Sequence, residues 1–185
     1  MKQKLNKSKN KKTWFWPIIV FILAISLSML FSIVSELVLS KSAVIIAIIV
    51  IFVFIAIAIL TDMIGLAVAS SNIEHFAAMA ARKVKGSKQA MSLAKNADRV
   101  SSVLNDVIGD VCGILSGAAG ASIIAKIAID NGGSFMSILI PSLIAAIIAG
   151  LTIGGKAMFK RVAIRHANTI TLNFAKFINF FTRRG

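Results

Sequence analysis

Apolar residues run through this chain in four long stretches, each able to cross the hydrocarbon core of a bilayer as a helix of about twenty residues. The first covers about Phe15–Val38 and opens on Trp14-Phe15-Trp16-Pro17. Tryptophan favours the headgroup interface and proline is tolerated in a first helical turn, so this cluster marks a helix entering the membrane. The second begins near Ala43 with an unbroken apolar run through Leu60, then meets Thr61, Asp62 and Gly65 before ending near Ala69. The third runs from about Val103 to Ile129 and the fourth from about Ser134 to Gly155, with Pro141 near its outer part. Glu36 and the joint Leu39–Ser42 follow the first stretch, and Asp130-Asn131-Gly132-Gly133 reads as a turn between the last two.

Polar segments carry shorter helical patterns. In Ser70–Ser102, Ile73, Phe76, Ala80 and Val84 recur at helical spacing, Lys85-Gly86-Ser87 breaks the pattern, and Ala90, Met91, Leu93 and Ala94 resume it. Two juxtamembrane helices over about 72–97 are expected, lying against the inner leaflet. In the tail, 166–185, Ile170, Phe174, Phe177, Ile178 and Phe181 fall on one face, while Asn173, Lys176 and Arg183 fall elsewhere. Lys176 interrupts the apolar character, so an interfacial amphipathic helix fits better than a fifth span. The expected fold class is an all-α integral membrane protein with four transmembrane helices, cytoplasmic juxtamembrane helices and a C-terminal amphipathic helix.

Charge fixes the expected topology. Of the 21 Lys and Arg, all but Lys41 and Lys126 fall in three patches: Met1–Lys12, Ser70–Ser102 and Lys156–Gly185. Cytoplasmic loops collect Lys and Arg, so the three patches belong on one side, with an even number of crossings between successive patches. A multi-pass protein of the plasma membrane follows, with both termini cytoplasmic. The net charge of +14 flanks apolar segments and lacks interleaved stacking aromatics, which points to anionic lipid headgroups rather than nucleic acid. The first stretch is longer than a signal h-region and no small-residue cleavage pattern closes it cleanly, so it reads as a retained span, with cleavage as the alternative. The one cysteine, Cys112, lies in an apolar stretch and reads as a packing residue.

No phosphate-binding glycine loop, metalloprotease helix or zinc spacing is present, and His75 and His166 lie in basic segments, so no enzyme is expected. The intramembrane charges carry the chemistry. A carboxylate costs about 2.5–3.5 kcal/mol at the centre of a spanning helix, so Asp62 and Asp110 need partners there, while Asp106 lies nearer the interface. Gly109, Gly113, Gly117 and Gly120 form a small-residue stripe on the third span that lets a neighbouring helix approach closely.

Asn96-Ala97-Asp98-Arg99-Val100-Ser101-Ser102, followed by Gly113-Ile114-Leu115-Ser116-Gly117-Ala118-Ala119-Gly120, resembles the transmembrane domain of the CNNM/CorB-type magnesium transporters. Lys160-Arg161-Val162-Ala163 resembles that family's segment after its last span, and Lys85-Gly86-Ser87-Lys88-Gln89-Ala90 falls at its loop between two juxtamembrane helices. The resemblance covers about Leu60 to Ile164. It implies a basic tail over 1–13, an added helix over 14–39, and a CNNM-like domain over 43–165 with spans at about 43–69, 103–129 and 134–155. It also implies a homodimer. Typical members continue into nucleotide-binding CBS domains, which have no counterpart in these residues, so a protein working without that module is expected.

The departures lie at the family's ion site. The acid that helps hold a partly dehydrated Mg²⁺ aligns with Lys156, the following proline with Phe159, and an acid of the first family span with Gly65. Asp110 falls near a position that neighbours the site. Lys156 is therefore expected to take the place of the cation and pair with Asp110 or Asp62. As a divalent-cation transporter (Mg²⁺, and also Co²⁺), the chain would offer oxygens of Asp62, Ser70, Ser71, Asn105, Asp110, Ser116 and carbonyls near Gly154, with Asp62 and Asp110 as the metal-holding acids and Mg²⁺ as cargo rather than cofactor. The alternative is a non-transporting membrane scaffold or partner subunit. A basic membrane-surface factor would explain the tail helix and leave the buried acids unexplained.

Overall fold

The computed structural model describes residues 16–33, 44–128 and 136–182, and over these the chain is helical with no strand. Helix α1 spans Trp16–Ile33, α2 Val44–Ala69, α3 Ile73–Ala81, α4 Ser87–Lys95 and α5 Ala97–Ser102. The chain then passes through a π-helical segment, Val103–Gly109, into α6, Asp110–Ala128. Helices α7, Met136–Arg165, and α8, Ala167–Thr182, complete the chain. Four helices are long and apolar enough to cross a membrane: α1, α2, the α5–π–α6 rod and α7. The basic N-terminal tail, Trp14, Glu36, the Leu39–Ser42 joint, the Asp130–Gly133 turn and Arg183 lie outside the described residues.

Helix α2 is the hub, touching α5, the π segment, α6, α7 and α8. Its residues Ala47, Ile51 and Ile55, one turn apart, are buried against Ala119 and Ile123 of α6, with Val50, Ile59 and Ile148 around them. Lipid tails are as apolar as these side chains, so close packing rather than water exclusion holds such helices together. Glycine permits it in three places. A methyl at Gly109 would meet Thr61 Oγ1 at 3.4 Å, one at Gly120 would overlap Ile148, and one at Gly155 would overlap Ile59. Gly113 and Gly117 face open space instead, so the expected stripe is not one continuous seam within the chain. Gly113, Gly117 and Gly120 line one groove between α6 and α7, and the two helices close on each other only at Gly120.

The third rod begins at Ala97 rather than Val103, and the fourth does not end at Gly155 but runs ten residues further to Arg165. The hydropathy of a span and the length of its helix are different quantities. Lys156, Lys160, Arg161 and Arg165 are good helix formers with no proline among them, and a glycine in a helix interior costs only about 1 kcal/mol relative to alanine.

Helices α3, α4 and α8 make a second layer at the C-terminal end of α2. Phe76, Ala90, Ala94 and Ala175 are buried together, with Met79, Met91, Leu93 and Leu172 packed on them. Asn72 caps α3 by accepting from the Glu74 N–H at 2.8 Å, while its own N–H donates to Asn168 Oδ1 at 2.9 Å. Gln89 Nε2 donates to Asn179 Oδ1 at 3.1 Å, so α8 is fastened to the layer near both ends. The packed face of α8 is Ala167, Thr171 and Ala175, not the aromatic face that its sequence makes prominent. Small residues let two helices approach, and Phe177 stays 61% exposed. On α3, Phe76 is buried and Ile73, expected on the same face, is exposed, while Val84 falls beyond the helix in the turn and is exposed too.

The turn between α3 and α4 holds Lys83 at φ 55° and Gly86 at φ 85°. Gly86 is also where α8 crosses, because a methyl there would lie 2.8 Å from Lys176 Cγ and 3.5 Å from its backbone nitrogen. Gly86→Ala therefore incurs the left-handed penalty of about 1–2 kcal/mol and pushes α8 off α4. Its melting temperature in detergent, followed by circular dichroism, should fall by several degrees. Gly113→Ala, which meets open space in a helix, should melt at or slightly above the wild-type temperature.

Candidate functional site

Three helices bring one cation and two carboxylates together. Lys156 of α7 donates from Nζ to Asp110 Oδ1 at 3.2 Å and stands 3.7 Å from Asp62 Oδ1 of α2. The side chains of Lys156 and Asp62 are 23% and 26% exposed, that of Asp110 62%. At an effective dielectric of 20 each contact carries a gross attraction of about 4–5 kcal/mol. Desolvation offsets most of that at Asp62, and solvent screening offsets most of it at Asp110. Distance favours Asp110 and burial favours Asp62. Burial decides the energy, because removing a partner leaves a charge that water reaches poorly.

The π segment aims Asp110. The N–H of Asp110 donates to the carbonyl of Asn105, five residues back. A π turn takes up one extra residue, which rotates everything after it by about 100° relative to an uninterrupted α-helix. Without it, Asp110 would leave the face that meets α7. Gly109, at the end of the segment, has no side chain to hold α2 away. Thr61 turns its hydroxyl back onto Ile57 O at 2.8 Å, so it does not join the ion pairs.

One turn from Asp62 along α2, Gly65 makes room for the Asn105 side chain, since a methyl there would overlap Asn105 Oδ1. That oxygen is buried and accepts no hydrogen bond. Asp106 accepts from Ser102 Oγ at 2.8 Å, and the Arg99 guanidinium lies 5.1 Å over the ring of Trp16 at the start of α1. Asp110 stands where two grooves meet. One of about 540 Å³ runs between α6 and α7 past Gly113, Ser116, Gly117, Thr152 and Lys156. The other, about 580 Å³, runs between α1 and α6 past Ser28, Ser32, Asp106 and Ile114.

The structure thus brings together Asp62, Asp110 and Lys156, with Asn105 one turn away. Ser116 lines the first groove but donates its hydroxyl to Gly113 O at 2.7 Å. Ser70 and Ser71 do not join the cluster: they follow Asp62 by eight and nine residues, about 12 Å along the axis, and Ser71 Oγ donates to Val68 O at 2.8 Å. Gly154 is exposed with open space beside it, and its neighbour Gly155 is the one that faces α2. Among the described residues no three His, Cys, Asp or Glu side chains converge as a metal site. Sequence reasoning missed the π turn, the fit of Asn105 against Gly65 and the Arg99–Trp16 contact.

Comparison of the chain with protein-family models, with curated proteins and with solved structures returns no match.

Removing the lysine should expose the cost of the uncompensated acids. Lys156→Met is expected to destabilise the protein by about 1–2 kcal/mol, below the 3–5 kcal/mol of a fully buried pair because the site is partly solvated. Adding Asp62→Asn should recover most of that loss, and adding Asp110→Asn much less. Thermal unfolding of the four proteins in one detergent checks the order, and equal rescue by the two changes would contradict the dominance of burial.

Proposed function

We propose that this chain is an integral membrane protein that handles divalent cations in the manner of the CNNM/CorB transmembrane domain, with Mg²⁺ as the first candidate cargo and Co²⁺ the second. One observation carries this: carboxylates from α2 and α6 converge on a single cation at spanning depth, and that cation is the ammonium of Lys156. Charged groups at such depth are costly and mark ion pathways in membrane proteins. Carboxylate and amide oxygens are the donors that Mg²⁺ prefers, and Asn105 Oδ1 is a buried oxygen without a donor close by. The sequence resemblance supports the same reading, together with a homodimer, and the segregation of Lys and Arg supports a plasma-membrane protein with both termini cytoplasmic.

The lysine also favours a second reading, the non-transporting scaffold. A tethered ammonium satisfies both acids without metal, so the helices can hold their register while no ion moves. A divalent ion entering beside it would meet a like charge, at about 4 kcal/mol per unit charge at 4 Å and an effective dielectric of 20.

Mg²⁺ flux into proteoliposomes, read with an internal indicator for the wild-type chain and Lys156→Glu, separates the two. Transport is expected at least from Lys156→Glu, where three carboxylates replace two and the plug is gone. Flux from the wild type as well would mean that the lysine moves aside during the cycle. Silence from both folded proteins would sink the transporter reading and leave the scaffold.

A further inference from the structure

The α3–α4 turn gathers positive charge that forms no ion pair among the described residues. Lys83 and Lys85 come from the turn itself, Lys88 from the first turn of α4, and α8 delivers Lys176, whose stem lies over Gly86. All four are exposed, and the ion pairs among the described residues are both at Lys156. Four ammonium groups brought together by the fold repel one another, and an anionic surface turns that repulsion into attraction. Apolar side chains flank the patch. Val84 is exposed within the turn, Phe177 follows Lys176, and Phe180 stands one turn beyond it, the two phenylalanines 61% and 57% exposed. A basic cluster beside exposed aromatic rings is the composition of a helix seated at the boundary of headgroups and acyl chains.

The patch is also held within reach of that boundary. Helix α8 leaves the spanning helix α7 after one residue, His166, and packs on α2 and α4. Helix α3 starts three residues after α2 ends. We infer that the turn around Gly86, with Lys83, Lys85, Lys88 and Lys176, is a binding site for the headgroups of anionic phospholipids in the bilayer the chain crosses. The site is separate from the Asp62–Lys156–Asp110 cluster, so it stands whether or not the chain moves ions.

The test uses the full chain in phosphatidylcholine vesicles with a trace of spin-labelled phosphatidylglycerol or spin-labelled phosphatidylcholine. The motionally restricted fraction of each label gives the protein's preference between them. Each lysine near an anionic surface multiplies affinity about fivefold, so the wild type should favour phosphatidylglycerol at least about fivefold, and less in high salt. Replacing the four lysines with glutamine should bring the ratio close to one, while the four-arginine version should retain it. A matched change of Lys95, Lys160, Arg161 and Arg165 to glutamine should also retain it. If the first glutamine variant does not fold, Lys176→Gln alone is expected to lower the ratio clearly. Equal losses in the two glutamine variants would mean diffuse charge rather than a site. That result, an indifferent wild type, or an unaffected Lys176→Gln overturns the proposal.

Discussion

The ammonium of Lys156 is the point on which the helix arrangement turns. An ionised side chain within a spanning helix must find a partner, water or a counter-ion. Asp62 and Asp110 find theirs in a lysine that belongs to a third helix, 3.7 and 3.2 Å away. Meeting that demand fixes the relative register of α2, α6 and α7 at one level. The neighbouring features follow from it. Gly155, next to Lys156, brings α7 against Ile59 of α2, and Gly109, next to Asp110, brings the π segment against Thr61. Bulkier residues at those positions would push the charges apart in the part of the molecule where separation costs most.

The four spans were legible because apolar length is a strong signal, and the three charges were legible because they interrupt it. Helix ends were not. Hydropathy falls at Lys156, yet α7 continues to Arg165, since neither lysine nor arginine opposes a helix. The π segment left no trace in Val103–Gly109, whose residues would equally form an α-helix. It packs along α2, and that contact has no local signature in the sequence. The pairing of Asn105 with Gly65 is complementary in shape, and complementarity between positions forty residues apart has no local pattern. On α8 the sequence offers an aromatic face and a small-residue face, and hydrophobicity marks only the first, which stays largely exposed. Packing against α2 and α4 requires close approach, which the buried Ala167, Thr171 and Ala175 allow and phenylalanine does not.

The layer of α3, α4 and α8 obeys the opposite electrostatic logic from the spans. At the Lys156 cluster each charge has a partner within 4 Å and little freedom. Around Gly86 the charges share a sign and are exposed, with the stem of Lys176 laid over the glycine. Solvation makes such a patch tolerable where membrane depth would not. The two sites meet along α2, which carries Asp62 in its span and receives α8 at its C-terminal end. Lateral shifts of the layer would therefore act on the same helix that holds one of the paired acids.

Charge counting explains why the two acids differ in exposure. A divalent ion between two carboxylates would leave the site neutral, whereas one ammonium leaves a formal negative charge. That surplus is tolerable only where solvent can screen it, and Asp110 opens onto both grooves while Asp62 stays half-buried against α7. One lysine can therefore serve two converging acids here because one of them is also exposed. The exposure of Asp110 and the presence of Lys156 are two parts of one electrostatic solution. An acid at position 156 would make three carboxylates, so even a divalent ion among them would leave the same single negative charge, and the opening at Asp110 would screen it equally.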